Sequence, residues 1–285
     1  MRIISGDCRS AHEAWDQIGL SLSTRGQMYL ITDFDGTLAE ITAVPSAAAI
    51  DPRARTALMR LSAEKRVTVA VLSGRSVSDV ADRVGLPVIY GGDHGLEIHG
   101  AEFDFVAPGA EAARLELPAI CNEIRGRTAH IPGALVEVKR FTASVHYRQV
   151  KGELTSQLTE IVGSVVDTMR FELRHGHCVI EIRPRVNWGK GQAVRWLLDR
   201  AGAVEQQVVC IGDDETDEDM FNAVPGAVNV RVTSAGETNS AAQYWLERHD
   251  VPVFLEELRD LVQGFACASS AVVGAAWRGP HTACR

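Results

Sequence analysis

The sequence predicts an α/β fold: a parallel sheet with helices on both faces, carrying a smaller α+β unit inserted into the chain. Three observations predict it. Short β-rich apolar runs recur at Met28 to Thr32, Arg66 to Leu72, Gln207 to Ile211 and Ala227 to Val232, in the manner of strands buried on both faces. Helical patterns separate them, and a strand–helix–strand order implies right-handed crossovers and parallel pairing. Between residues 108 and 183 the grammar changes to alternating runs joined by tight turns, as in antiparallel hairpins. The expectation is a Rossmann-like core from 28 to 107 and 184 to 262, an inserted cap from 108 to 183, and peripheral termini at 1–27 and 263–285.

Each element follows in order. A short helix is expected around Ala11 to Ile18, then the first strand. Pro52 suits the first turn of a helix running to about Glu64, with Leu58 and Leu61 inward. The second strand ends at Ser73-Gly74-Arg75. Ser76 to Val84 reads as a helix, Pro87 to Tyr90 as a third strand, and Leu96 to Phe105 as a hairpin turning at Gly100. In the insertion, helices are expected at Glu111 to Arg125 and Glu153 to Met169. Strands are expected at Leu135 to Arg140, Ala143 to Arg148, Phe171 to Arg174 and His177 to Arg183. Gly189 to Ala201, Glu215 to Asn222 and Val253 to Val262 complete the helices; the Ala-, Gly- and Ser-rich tail from Gln263 reads as loose.

Bulk properties bound the function. A chain of 285 residues, 46% hydrophobic and 23% charged, can bury one large core or a core plus a smaller domain. A net charge of −8 argues against general nucleic-acid or anionic-membrane binding. The six cysteines (Cys8, Cys121, Cys178, Cys210, Cys267, Cys284) lack C-x-x-C spacing, which argues against a zinc site or disulfide framework and fits a reducing compartment. No basic segment followed by an apolar run opens the sequence, and no stretch approaches the ~20 apolar residues that span a bilayer. A soluble, cytoplasmic protein is expected.

The chemistry gathers at strand ends. Asp33 and Asp35 close the first strand, and Gly36 turns the chain. Ser73 closes the second. Lys190 opens a helix, and the strand after it leads into Asp213, Asp214 and Asp217. In a parallel sheet these groups meet at one edge. Buried acids need a compensating charge, and hard oxygen ligands suit magnesium. A phosphoryl group needs an in-line nucleophile and neutralised oxygens. Asp33 is therefore the expected nucleophile, forming an aspartyl-phosphate. Asp35 is the expected acid and then base. Ser73 and Lys190 would hold the phosphate, and Mg2+ would take Asp33, the Asp35 carbonyl and Asp213 from an acidic set that includes Asp214 and Asp217. Each residue alone has a plainer reading: Ser73 as a helix cap, Lys190 as a solvated lysine, the acids as a helix start. Five or six acids beside one buried strand exceed what a helix start needs.

The runs Asp33-Phe-Asp-Gly-Thr-Leu, Ser73-Gly-Arg, Lys190-Gly and Gly212-Asp-Asp-Glu-Thr-Asp resemble, in order, the four motifs of haloacid dehalogenase superfamily phosphatases. Gly92-Asp-His-Gly, Val136-Glu-Val-Lys, Val145-His-Tyr-Arg, Glu181-Ile-Arg-Pro and Asn187-Trp-Gly-Lys-Gly narrow the resemblance to the trehalose-6-phosphate phosphatase family, over roughly Met28 to Leu258. Asp93 stands where that family often has Glu or Asn, and Trp188 separates Asn187 from Gly189. The resemblance implies hydrolysis of a sugar phosphate with Mg2+. The same chemistry on sucrose phosphate or a glycosyl-glycerate phosphate, a non-catalytic sugar-phosphate sensor, and a phosphoryl-transfer mutase are the alternatives.

The cap has its own reading. Alternation puts Glu137 and Lys139 on one face, with Ser144, His146 and Arg148, and likewise Glu181 and Arg183; Val145, Tyr147, Cys178, Ile180 and Ile182 take the other. One face would bury against helices. The other is either an ordinary solvated surface or a polar lid that binds sugar hydroxyls through Glu137 and Glu181, with Lys139, His146 and Arg148 meeting hydroxyls or phosphate. Arg75 reads as a phosphate or sugar ligand or as a surface arginine. His94 reads as a ligand or as a structural histidine, and His175 and His177 as hairpin residues.

Overall fold

The computed structural model describes residues 9–42, 44–176, 178–233 and 239–275, with side chains as far as residue 265. His177 lies outside the described residues. In chain order the strands are β1 (Arg9–Ser10), β2 (Met28–Thr32), β3 (Val67–Leu72), β4 (Ile89–Gly92), β5 (Glu97–Gly100), β6 (Phe103–Val106), β7 (Leu135–Val138), β8 (Ala143–His146), β9 (Phe171–Gly176), β10 (Val179–Pro184), β11 (Val208–Gly212), β12 (Val228–Val232) and β13 (Tyr244–Leu246). The helices are α1 (Trp15–Arg25), α2 (Pro52–Ser62), α3 (Val77–Val84), α4 (Ala110–Thr128), α5 (Gly152–Val165), α6 (Lys190–Ala201), α7 (Glu215–Ala223) and α8 (Val251–Ala275).

Nine strands form one sheet in the order β1-β13-β12-β11-β2-β3-β4-β5-β6. Pairing is parallel from β1 to β4 and antiparallel at β5 and β6. Both faces are covered, so the parallel strands carry apolar side chains on both. Met28, Leu30, Val69, Val71, Val209 and Ile211 pack with α1, α2, α3 and α8. Ile31, Ala70, Leu72, Val208 and Cys210 pack with α6 and α7. After β2 the chain winds outward through β3 and β4, then returns to place β11 on the other side of β2. The crevice beyond the carboxyl ends of β2 and β11 is thus a topological switch point, where open α/β sheets receive ligands.

The second sheet is antiparallel, in the order β7-β8-β10-β9. Val136, Ala143, Val145, Ile180 and Ile182 face Leu117, Cys121 and Ile124 of α4 and Leu158 and Val162 of α5. The register sets Glu137 opposite Ser144 and Ser144 opposite Glu181, so the expected polar row runs straight across three strands. Phe141, in the β7–β8 turn, is fully buried with Leu96, Ala107 and Ala110, and Val186 and Trp188 pack against that cluster. Both crossings between the sheets therefore converge on one phenylalanine.

Several elements depart from expectation. Residues 9–25, ahead of β2, are not peripheral: β1 pairs with β13, and Ile18 and Leu22, four apart on α1, join the large core. Trp15 stacks on Phe254 of α8 at 4.7 Å. The helix expected to reach Met169 stops at Val165, because the Asp167 side chain accepts from the Met169 N–H and starts a turn. Helix α8 continues through the supposedly loose tail to Ala275, since alanine is the strongest helix former. The β5–β6 hairpin turns at Ala101-Glu102, one step past Gly100.

Leu22 is 2% exposed within the large core. Leu22→Ala should lower stability by about 2–4 kcal/mol, read from urea unfolding. An unchanged midpoint would show that α1 contributes nothing to the fold.

Candidate active site

The centre is built on one lysine. Lys190, 2% exposed at the first position of α6, donates from Nζ to Asp33 Oδ1 at 2.6 Å and to Asp217 Oδ1 at 2.7 Å. Asp33 sits where β2 ends, its N–H still paired to the Ile211 carbonyl of β11. Asp217, fully buried on the first turn of α7, accepts the N–H groups of Asp213 (2.9 Å) and Asp214 (3.1 Å) on its other oxygen. Thr37 donates from Oγ1 to Asp213 Oδ1 at 3.1 Å. Gly36, at φ +82°, lets the two loops meet; a Cβ there would fall 2.0 Å from Asp213 Oδ2.

Carboxylate oxygens of Asp33, Asp213 and Asp217 lie within 4.8 Å of one another. Asp214 points away: it caps α7, accepting from the Thr216 N–H at 2.8 Å and hydroxyl at 2.7 Å. Burial, with repulsion from Asp217, Asp213 and Asp214, pushes Asp33 well above the usual carboxylate range against the pull of Lys190. Burial and the Asp217 and Asp214 charges raise Asp213 to about 7, and burial raises Asp217 to about 6. Burial would raise Asp214 too, but Lys190 and Thr216 bring it down to about 2. Three clustered carboxylates face one ammonium. The surplus negative charge and the all-oxygen donor set fit a hard divalent cation.

Asp35 and Ser73 flank this centre. Arg75 grips both Asp35 oxygens, through Nε and Nη2, each at 2.7 Å, and also holds Asp79 and the Pro45 carbonyl. Arg75 is thus a bidentate partner of Asp35, which fixes that carboxylate's direction. Ser73 is buried; its Oγ accepts the Arg75 N–H at 3.1 Å and keeps a hydroxyl proton to give.

A cleft of about 730 Å³ separates these groups from the small sheet. Its walls hold Asp33, Asp35, Ser73, Arg75, His94, Lys190, Asp213 and Asp214 on one side, and Glu137, Lys139, His146, Arg148 and Glu181 on the other. Of the residues singled out from sequence, Asp217 alone lies behind the wall, against Lys190. His146 meets Glu137 at 2.9 Å, a contact that holds the Glu137 carboxyl below its ordinary value. Lys139 crosses to the Gly74 carbonyl at 2.7 Å, and Arg148 to the Thr42 carbonyl at 3.4 Å. Glu181 contacts His94 and Arg183.

Four contributors escaped sequence reasoning. Thr37 orients Asp213. Arg231, at the end of β12, donates to the Asp214 carbonyl at 2.6 Å. Arg183 was seen only as a face-mate of Glu181. Asp93 is buried and accepts from the Thr142 hydroxyl and the Phe141 N–H, tying the β7–β8 turn to the large sheet; burial raises it to about 6. The signal for Thr37 was its place in the first motif and that for Arg183 its place two residues from Glu181 on one strand face; Asp93 and Arg231 depend on contacts between separate segments. Trp188 also has a use: its indole N–H donates to the Gly95 carbonyl at 2.7 Å.

A family model described as trehalose-phosphatase matches residues 31–250. The trehalose-phosphate phosphatase of Mycobacterium tuberculosis is 38% identical over 236 residues, covering 80% of this chain and 59% of that protein. Its counterpart in Mycobacterium leprae is 33% identical over 276 residues, covering 90% and 63%. The chain therefore spans about three fifths of the length of these relatives. Among solved structures, the C-terminal domain of Candida albicans trehalose-6-phosphate phosphatase superposes with a TM-score of 0.74 at 22% identity, covering 89% of this chain and 98% of that one, which is a likeness of fold. Fold, motif order and kinship agree: the chain belongs to the trehalose-phosphatase family.

Proposed function

We propose that this chain hydrolyses trehalose 6-phosphate to trehalose and phosphate through an aspartyl-phosphate, as a magnesium-dependent phosphatase of the haloacid dehalogenase superfamily. The reading rests on one observation above all: the Lys190-bridged acidic centre faces a sheet dense in Glu, Lys, His and Arg across a single cleft. A phosphate and a polyhydroxyl group need just these two walls.

Asp33 attacks phosphorus and carries the phosphoryl group. Lys190 pulls the Asp33 carboxyl down against the stronger upward push of burial and its acidic neighbours, and a bound cation would add to that pull toward the ionised form a nucleophile needs. Asp35, after taking up a proton and giving up one of its two Arg75 contacts, protonates the departing sugar oxygen and then takes a proton from the water that releases phosphate, with Arg75 orienting it through the remaining contact. Ser73 donates its hydroxyl to a phosphoryl oxygen. Asp33, Asp213 and the Asp35 carbonyl would hold Mg2+, with Asp217 bracing Lys190 and the Asp213 backbone. When bound, the cation supplies positive charge beside the phosphoryl oxygens. Glu137 and Glu181 accept sugar hydroxyls, and Lys139, His146 and Arg148 donate to them; an unmatched sugar leaves such groups unpaired, which is the basis of selection.

We assign residues 28–107 and 184–262 to the core and 108–183 to the cap. A cytoplasmic location accords with Cys121 and Cys210 as buried free thiols, and no helix among the described residues is long and apolar enough to cross a membrane.

Asp33→Asn should abolish phosphate release from trehalose 6-phosphate with the circular dichroism spectrum unchanged; an active variant would end the nucleophile assignment. Millimolar magnesium should raise the melting temperature of the wild-type chain, and Asp213→Asn should remove most of that rise. A cation effect undiminished in the variant would move the metal elsewhere. Glu137→Ala should lower kcat/KM about tenfold or more on the disaccharide phosphate, since a lost hydrogen bond in a polar site is worth 1–3 kcal/mol. It should lower it far less on 4-nitrophenyl phosphate, and equal losses would count against sugar recognition by this sheet.

A further inference from the structure

Glu181 is held at both oxygens before any ligand arrives. Arg183 donates to Oε2 through Nε at 2.9 Å and through Nη2. His94 Nε2 meets Oε1 at 3.2 Å. The two partners differ in origin. Arg183 stands two residues along β10, so it travels with Glu181. His94 belongs to the loop after β4, in the large sheet, 87 residues away in sequence.

His94 is itself tightly set. Asp93 and His94 both take left-handed backbone, at φ 50° and 60°, which side-chain-bearing residues seldom adopt. Their N–H groups donate to the Arg75 and Ser73 carbonyls, at 2.7 and 2.9 Å. The imidazole lies on Gly74: a Cβ there would fall 2.5 Å from His94 Cε1. Nδ1 is buried with no hydrogen-bond partner among the described residues. An orphaned ring nitrogen means that the ring is not oriented for the sake of Nδ1. A carboxylate only accepts, so Nε2 carries the proton. Burial and the nearby Arg183 charge push His94 down to about 4, and the neutral ring acts as a donor rather than a counter-charge. Burial would raise Glu181, but its His94 contact and Arg183 hold it well below the usual range, so it stays an acceptor.

We infer that His94 is a positioning residue for Glu181: it aims the sugar-binding carboxylate from the opposite wall of the cleft, and does so only while the small sheet is seated on the large one. The inference rests on the trehalose 6-phosphate reading. It gives His94 a place in specificity without contact to the sugar. With both oxygens pinned by protein donors, the remaining lone pairs of Glu181 point in fixed directions for hydroxyl donors. A sheet lifted from its partner would keep Arg183 on Glu181 but lose the second anchor, so substrate selection and closure become one event.

A double-mutant cycle tests this. His94→Phe keeps a ring but removes the donor, and should cost about tenfold to a hundredfold in kcat/KM on trehalose 6-phosphate, as misplacement of a binding group does. Its loss on 4-nitrophenyl phosphate should be much smaller. His94→Gln, which restores an N–H donor, should recover much of the loss. In a Glu181→Ala background, His94→Phe should cost no more than about twofold further. The full loss persisting in that background would mean that His94 acts on the substrate or phosphate itself, and would overturn the inference; so would equal losses on both esters. Should the Phe variant fail to fold, His94→Asn takes its place, being suited to left-handed backbone yet too short to reach Glu181. Wild-type hydrolysis of 4-nitrophenyl phosphate without hydrolysis of any sugar phosphate would instead refute the substrate reading. The same cycle read in melting temperatures, which needs no substrate, then decides the coupling: additive shifts reject it.

Discussion

The contact on which everything else turns is the bridge from the Lys190 ammonium to Asp33 and Asp217. A lysine and two carboxylates buried together are tolerable only if each meets an opposite charge at hydrogen-bond distance. That requirement fixes three chain segments against one another: the end of β2, the start of α6 and the first turn of α7. Asp217 then reaches back with its second oxygen to the N–H groups of Asp213 and Asp214, so the loop that carries Asp213 is held from beneath by the same acid that holds the lysine. The bridge leaves the site short of positive charge, and so ready for a cation and an anionic ester together.

The second layer of constraint runs outward through arginines. Arg75 joins Asp35 to Asp79 and to the Pro45 carbonyl, and Arg83 joins Asp79 to the Ala48 carbonyl. The chain Asp35–Arg75–Asp79–Arg83 alternates in sign from the cleft to the loop at its rim. It holds that loop in place, where the short helical turn Pro45–Ala47 lies.

Much of this was legible because strand ends obey simple rules. The apolar runs placed β2, β3, β11 and β12, parallel pairing gathered their carboxyl ends, and two-residue alternation assigned Glu137, Ser144 and Glu181 to one face. Less legible were features that depend on a single turn of backbone. Asp213 and Asp214 are neighbours and read alike, yet extended backbone at Asp214 sends one side chain to the acidic cluster and the other to a helix cap. Pairings such as Arg75 with Asp35, or His94 with Glu181, join residues 40 and 87 apart and have no local periodicity to announce them. Strands β1 and β13, of two and three residues, are too short for any pattern to emerge.

Phe141 sets the mechanics of the two sheets. It is sealed against both crossover segments at one end of β8, whereas the other end of that strand runs on to Arg148, which touches the rim loop at Thr42. The four extended residues of β8 alone give a lever roughly 13 Å long. A swing of a few degrees about the phenylalanine barely disturbs its packing but displaces the far tip by an ångström or more. The tip lies at an exposed arginine whereas the fulcrum is fully buried, so the mouth yields before the fulcrum does, and admission of a bulky sugar need not disturb the charged floor below.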